Sequence, residues 1–341
     1  MELLNELLEL PCVCGFEQPG NKKLLSYLDL ICDKSGTDAL GNVYGIISAV
    51  EKDAPTVLLC AHYDIIGLIV TDICDNGFVK FSGLGGIDER ILPGQEVIIH
   101  GKEDVFGVIG LRPPHILSAD EMKSTEKTDK LSIDTAYSKE KLESLIKIGT
   151  PVSFKNSLVE MGENICSRGL DNRAGCWAVL RAGEALSKEK LNTNVILLFT
   201  SSEELGRTGA KAAASRFSAD VAVIVDATFG KSPDCPPYSS NPLGNGPVLC
   251  KGPVLNRYYV NQIEAVAKNK NIPYSVEVES GDPGTDAFVL ETYSGGTPCV
   301  MVSYPLRYMH TTAEIINSRD LENTSLLLQE FVLGFEEVEY A

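Results

Sequence analysis

Val195-Ile-Leu-Leu-Phe-Thr200-Ser-Ser-Glu203-Glu204-Leu-Gly206 joins an apolar run without helical periodicity to a polar loop and a glycine. Such a run reads as a buried parallel strand opening into a loop, and ligands of open α/β sheets bind just beyond such carboxyl ends. Two adjacent carboxylates at that point are no more than a solvated turn unless the rest of the chain supplies partners for them.

On the C-terminal side the same texture recurs. Strand-like runs at residues 219–225, 274–278 and 298–303 alternate with helical patterns at 172–186, 206–215, 256–269, 286–293 and 319–335. This alternation predicts an α/β fold, a mixed sheet with helices on both faces. On the N-terminal side, helical patterns at 1–10 and 21–33 precede strands at 43–50 and 56–63. Between residues 67 and 163 the pattern breaks into short strands (77–82, 95–100, 105–110, 151–154) punctuated by Gly and Pro, the signature of a small inserted β-rich, barrel-like domain. The expected organisation is therefore a discontinuous main domain, residues 1–66 and 164–341, with 67–163 inserted. Ser118 to Asp134 reads as a surface loop of the insertion.

Composition narrows the function. With 44% hydrophobic and 23% charged residues the chain has material for a sizeable core. A net charge of −17 argues against binding a phosphate backbone, which needs clustered Lys and Arg. No apolar run reaches the roughly 20 residues of a membrane span, and the acidic start Met1-Glu-Leu-Leu-Asn-Glu does not resemble a signal peptide, so neither nucleic acid nor membrane is expected as partner and a cytoplasmic location is. The ten cysteines are scattered, several inside apolar runs (Cys60, Cys176, Cys250, Cys299), and read as buried free thiols. Cys12 and Cys14 form a C-x-C pair with no second pair at finger-like spacing.

Possible metal ligands gather at strand ends. His62 and Asp64 close the second strand, and the two-residue period puts them on one face, where Asp64 is placed to hold His62 in one tautomer. Asp171 precedes an apolar helix, and a plain N-cap is the competing reading there. Asp226 ends the apolar Val223-Ile-Val run, and His310 follows the strand at 298–303. Two of only four histidines and several acids thus fall where a sheet gathers its carboxyl ends, the pattern of a divalent-metal site. His100 and His115, within the insertion, have no such company.

These residues carry a family resemblance. Pro11-Cys-Val-Cys-Gly-Phe-Glu17, Ala61-His-Tyr-Asp-Ile-Ile-Gly67, Arg112-Pro-Pro-His115, Gly169-Leu-Asp-Asn-Arg-Ala-Gly-Cys176, Glu203-Glu-Leu-Gly206, Val225-Asp226, Gly284-Thr-Asp-Ala287 and Pro305-Leu-Arg-Tyr-Met-His310, in that order, resemble the tetrahedral dinuclear-metal aminopeptidases, the group that includes glutamyl aminopeptidase and proteins once labelled endoglucanases. The resemblance implies two divalent metal ions per subunit, zinc first, with cobalt or manganese also acceptable to such ligands. It implies His62, Asp171 and Asp226 as ligands of one ion and Asp171, Glu204 and His310 as ligands of the other, with Asp171 bridging. A shared carboxylate suits ions about 3.5 to 4 Å apart. Glu203 becomes the general base, with Asp64 beside it in the catalytic group, and the Gly284-Thr285-Asp286 stretch a substrate-side loop, for which a structural turn is the alternative. Short peptides become the substrates, and a tetrahedral dodecamer of dimers, joined through the inserted domain, the assembly.

One departure stands out: Ile65 occupies the position after His-x-Asp where the family commonly has Glu, which bears on substrate preference and the surroundings of the ions. Competing readings are a dinuclear-metal amidase or carboxypeptidase-like hydrolase, a scaffold with a degenerate site, and a glycosidase, the last needing two free carboxylates flanking a bond.

Overall fold

The computed structural model describes residues 1–118, 126–156, 158–233, 235–236 and 240–338. The chain opens with α1 (Glu2–Leu8) and α2 (Gln18–Ile31), then β1 (Lys34–Thr37), β2 (Val43–Ile47) and β3 (Thr56–His62). A stretch rich in strands follows: β4 (Gly67–Ile73), β5 (Val79–Leu84), β6 (Glu96–His100), β7 (Asp104–Gly110), β8 (Ser132–Asp134), α3 (Lys139–Leu145), β9 (Pro151–Phe154), β10 (Val159–Met161) and β11 (Asn164–Ser167). The remainder runs α4 (Leu170–Leu186), β12 (Asn194–Thr200), α5 (Thr208–Arg216), β13 (Val221–Phe229), β14 (Val248–Lys251), α6 (Arg257–Asn269), β15 (Ser275–Val278), α7 (Asp286–Thr292), β16 (Cys299–Leu306), β17 (Glu314–Asn317) and α8 (Ser318–Leu333).

Among the described residues, eight strands form one mixed sheet in the order β1-β2-β12-β3-β13-β16-β14-β15. Its middle, β12-β3-β13-β16, is parallel, flanked by antiparallel β2 and β14. These four strands are buried almost end to end, as the uninterrupted apolar runs require of strands covered on both faces. The covering helices are on opposite sides. Tyr304 of β16 donates its hydroxyl to the Leu170 carbonyl and Asn172 in α4, whereas Met301 of the same strand meets the Thr285 hydroxyl beside α7. Odd and even residues of a strand face opposite ways, so α4 and α7 lie on different faces.

Strands β4-β5-β8-β7-β6-β9 close into a barrel with its own apolar interior, including Leu68, Val70, Phe81, Val97, Ile99 and Ile133. One reading of this region changes. Ser118 to Asp134 is not loop throughout: Ser132–Asp134 is a barrel strand, Ile133 filling the interior between β5 and β7, while residues 119–125 lie outside the described residues. Val159–Met161 pairs with β11, which pairs with β17 in a separate three-stranded sheet, so this segment is not part of the barrel wall. The ten cysteines are all free, with Cys12, Cys14, Cys60, Cys176, Cys250 and Cys299 buried. Among the described residues no helix is long and apolar enough to cross a membrane.

Candidate metal centre

The parallel order of β12, β3, β13 and β16 brings four carboxyl ends side by side, and each delivers one part of the site. His62 ends β3 opposite Thr200 of β12. The chain beyond β12 carries Glu203 and Glu204; β13 carries Asp226; and the turn after β16 carries His310. Asp171 arrives from the start of α4, at the same rim. The helix's N-cap position is Gly169, and Asp171 Oδ1 has no hydrogen-bond partner, so that oxygen does not cap the helix.

Two groups of possible ligand atoms result, each within 4.8 Å: His62, Asp171 and Asp226, and Asp171, Glu204 and His310. Asp171 belongs to both through different oxygens. Its Oδ1 is 3.2 Å from His62 Nε2, and its Oδ2 is 3.6 Å from His310 Nε2. Asp226 Oδ1 is 3.6 Å from His62 Nε2, and Glu204 Oε1 is 3.2 Å from His310 Nε2. Asp171 Oδ1 is buried yet has no hydrogen bond. A buried carboxylate oxygen without a donor is costly unless a cation meets it, and the donor atoms facing it are carboxylate oxygens and imidazole nitrogens, suited to a divalent ion. The residues present therefore fit the metal centre that the resemblance implies.

Both histidines are aimed by their other nitrogen. His62 Nδ1 faces Asp64, 3.3 Å from its carbonyl and 3.5 Å from Oδ1. The Asp64 carboxylate also accepts the backbone N–H groups of Glu203 and Glu204, at 3.1 Å each. One fully buried aspartate thus orients a histidine and fixes the backbone of both glutamates. His310 Nδ1 lies 3.2 Å from the carbonyl of Gly86, in the β5–β6 connection of the barrel. His310 adopts a left-handed backbone, φ 59°, and its N–H donates to Glu314 Oε1, whose other oxygen accepts from the Asp171 N–H.

The electrostatics follow from crowding carboxylates under a wall of protein. The carboxylates raise the proton affinity of both histidines: the hydrogen bond to Glu204 pushes His310 up to about 9, and His62 is raised, its desolvation outweighed by Asp226, Asp171 and Asp64. Burial, reinforced by Asp286 and Asp226, pushes Glu203 up to about 10. Glu203 belongs to neither ligand group but lines the same cavity of about 460 Å³ as His62, Asp171, Glu204, Asp226 and His310.

Gly284 and Thr285 also line that cavity, but Asp286 does not. Its side chain turns inward at the start of α7, is 2% exposed and accepts the Thr200 hydroxyl, so the expectation that it contacts substrate gives way to a structural place behind the wall. Ile65 is likewise not at the rim. It is 1% exposed, bridges to Val13, and sits so close to Gly169 that a Cβ there would lie 2.9 Å from Ile65 Cγ2. His115 is exposed; His100 bonds Asp104 and Ser153 within the barrel.

Sequence reasoning missed Gly86, Glu314 and the anchoring by Glu17, whose Oε1 accepts from Gly15 N–H and from Ser202 N–H and hydroxyl. Only Glu17 stood within a motif. For Gly86 the reason for glycine is steric: a Cβ would stand 2.7 Å from His310 Nδ1. Gly86→Ala is expected to displace His310 and weaken the Glu204–His310 group about 10- to 100-fold in metal affinity, leaving the His62 group intact; ion content measured across a metal titration checks this.

Comparison with known proteins agrees with the geometry. The family model described as M42 glutamyl aminopeptidase matches residues 41–327. The lysyl aminopeptidase of Pyrococcus furiosus is 31% identical over 329 residues, covering 95% of this chain and 94% of the relative. Among solved structures, an aminopeptidase from the archaeon Desulfurococcus kamchatkensis superposes with a TM-score of 0.91 at 32% identity, covering 98% of this chain and 94% of that one. The TET1 peptidase of Pyrococcus horikoshii, which can assemble into a tetrahedron or a large octahedral shell, gives a TM-score of 0.86 at 29% identity, covering 98% and 99%. A sheet whose parallel strand ends converge on two histidines and a shared aspartate, and a match running through nearly the whole chain, have one common source: the chain belongs to the M42 glutamyl aminopeptidase family of metal-dependent peptide hydrolases.

Proposed function

We propose that this enzyme removes the N-terminal residue from short peptides, with Glu203 as general base and with His62, Asp171, Glu204, Asp226 and His310 holding two divalent cations, zinc first and cobalt or manganese as alternatives. The observation that carries the reading is Asp171, whose two oxygens face different histidines. Bound there, divalent cations make water a nucleophile near neutral pH and stabilise charge developing on the peptide carbonyl oxygen.

The chain's own residues supply the proton traffic. Glu203 is free of both ligand groups, so its oxygens are available to take the proton of the attacking water and give it to the leaving amine nitrogen. Asp64 keeps Glu203 and Glu204 in separate jobs by holding both backbone N–H groups from one side. Gly284 and Thr285 are assigned to the substrate side of the cavity. We further propose a catalytic unit of residues 1–66 and 164–341, a subunit-contact role for the inserted 67–163 segment, a tetrahedral dodecamer of dimers, as the P. horikoshii relative makes a tetrahedron, and a cytoplasmic location.

The test is release of free amino acids from unblocked di- to tetrapeptides, abolished by chelator, beside N-acetylated peptides of the same sequence. The acetylated peptides are expected to resist; hydrolysis of both at equal rate rules the reading out.

A further inference from the structure

Outside the groups already assigned, two of the three charged residues that line the cavity are acidic and the third is a paired arginine. These are Glu277, Glu279 and Arg207. Arg207 is committed to neighbours: its Nη1 lies 2.7 Å from Asp282 Oδ1 and donates to the Thr285 carbonyl at 3.2 Å. Glu277 is not matched in this way. Its Oε2 accepts from the Thr228 hydroxyl at 2.6 Å and from Asn241 Nδ2 at 3.0 Å, both neutral donors, which fix the carboxylate's direction without supplying positive charge. Among the described residues no Lys or Arg pairs with it, although burial, the first cause of its raised proton affinity, makes an unpaired charge there costly. Glu279, two residues further along the chain and exposed, adds a second negative charge toward the open side.

The position of Glu277 gives this charge a use. Thr228 stands two residues beyond Asp226 on the same face of β13, and two strand residues span about 6.6 Å. The carboxylate that Thr228 aims therefore stands further along the cavity than Asp226, and the Asp226–Thr228 step along β13 is about the length of an extended aminoalkyl side chain. Phe229, Met301 and Met309 contribute apolar lining, the surroundings that the methylenes of Lys or Arg occupy while the charged head reaches a polar partner.

We infer that this cavity is a recognition pocket for a basic N-terminal side chain, lysine or arginine, and that Glu277 is its specificity-determining residue. The inference rests on the aminopeptidase reading above and goes beyond it in choosing the side chain. A hydrogen bond to a charged group contributes about 1.5–3 kcal/mol, so the preference over an uncharged side chain of equal length is expected to be at least about tenfold.

The metal-loaded enzyme is assayed with the 4-nitroanilides of L-lysine, L-norleucine and L-glutamate, norleucine being the lysine shape without its ammonium group. The expected result is a lysine-to-norleucine ratio of kcat/KM of at least about ten, falling to within about threefold of unity in Glu277→Gln. Binding without turnover gives the second readout: L-lysinamide is expected to inhibit at lower concentration than L-norleucinamide, and to lose that advantage in the variant. A ratio at or below one in the unmodified protein, a preference for the glutamyl substrate, or a ratio unchanged by Glu277→Gln overturns the inference while leaving the aminopeptidase reading standing. Failure to cleave any of the three free-amine substrates overturns both. The ratio in the unmodified protein decides the matter by itself should the variant not fold.

Discussion

Glu203→Gln is expected to lower kcat roughly 10²- to 10⁴-fold, the range attributable to a positioned general base, with the ion content of the purified protein unchanged. The reason is the division between neighbours. Glu203 lines the cavity but belongs to neither ligand group, whereas Glu204 faces His310 Nε2 at 3.2 Å. Gln preserves the shape of the side chain and the backbone N–H that Asp64 holds, and removes only the ability to accept and return a proton. The check is kcat on an unblocked dipeptide together with elemental analysis of the same preparation. Glu204→Gln supplies the contrast, since it removes a proposed ligand. Equal loss of metal in both variants would show that the two glutamates do not have separate tasks.

The second large effect is expected at Asp171. Asp171→Asn should reduce bound metal from two ions per chain to less than about one and bring activity to that of chelator-treated protein. An aspartate offers two equivalent anionic oxygens, and here one faces His62 while the other faces His310. An amide keeps one neutral oxygen and presents an N–H₂ group toward one of the histidines, so both ligand groups lose a charge and one gains a repelling donor. Asp226→Asn touches only the His62 group and should cost one ion. Two ions retained in Asp171→Asn would disprove the bridging role.

What could be read from the sequence follows the physics of burial. β12, β13 and β16 are covered on both faces and therefore carry unbroken apolar runs, which is why the sheet's centre, and with it the positions of Glu203, Glu204 and Asp226, was legible. β1, β10, β11, β14 and β17 are only three or four residues long, too short for a local pattern, and β11, β14 and β17 are further defined by distant partners, as β11 by β17. The candidate ligands were legible because two of the four histidines and several acids fall at the ends of apolar runs. Gly86 and Glu314 were not, because each matters through a contact made only in the folded chain: Gly86 lies 224 residues from His310, and Glu314 reaches Asp171 across 143. Asp286 misled because a polar residue after Gly-Thr looks like a loop, whereas the start of α7 turns it into the interior.

The hydrogen bond between His310 and Gly86 makes the two ion-holding groups unequal in mechanical terms. The His62 group is built from β3, β13 and the start of α4 alone, so it rides with the sheet as one body. The His310 imidazole faces a carbonyl from a connection in the barrel, so a tilt of barrel against sheet would act on it directly. The inserted barrel is therefore part of the frame of the candidate centre and not an appendage to it, because it supplies the carbonyl that faces one of the two imidazoles.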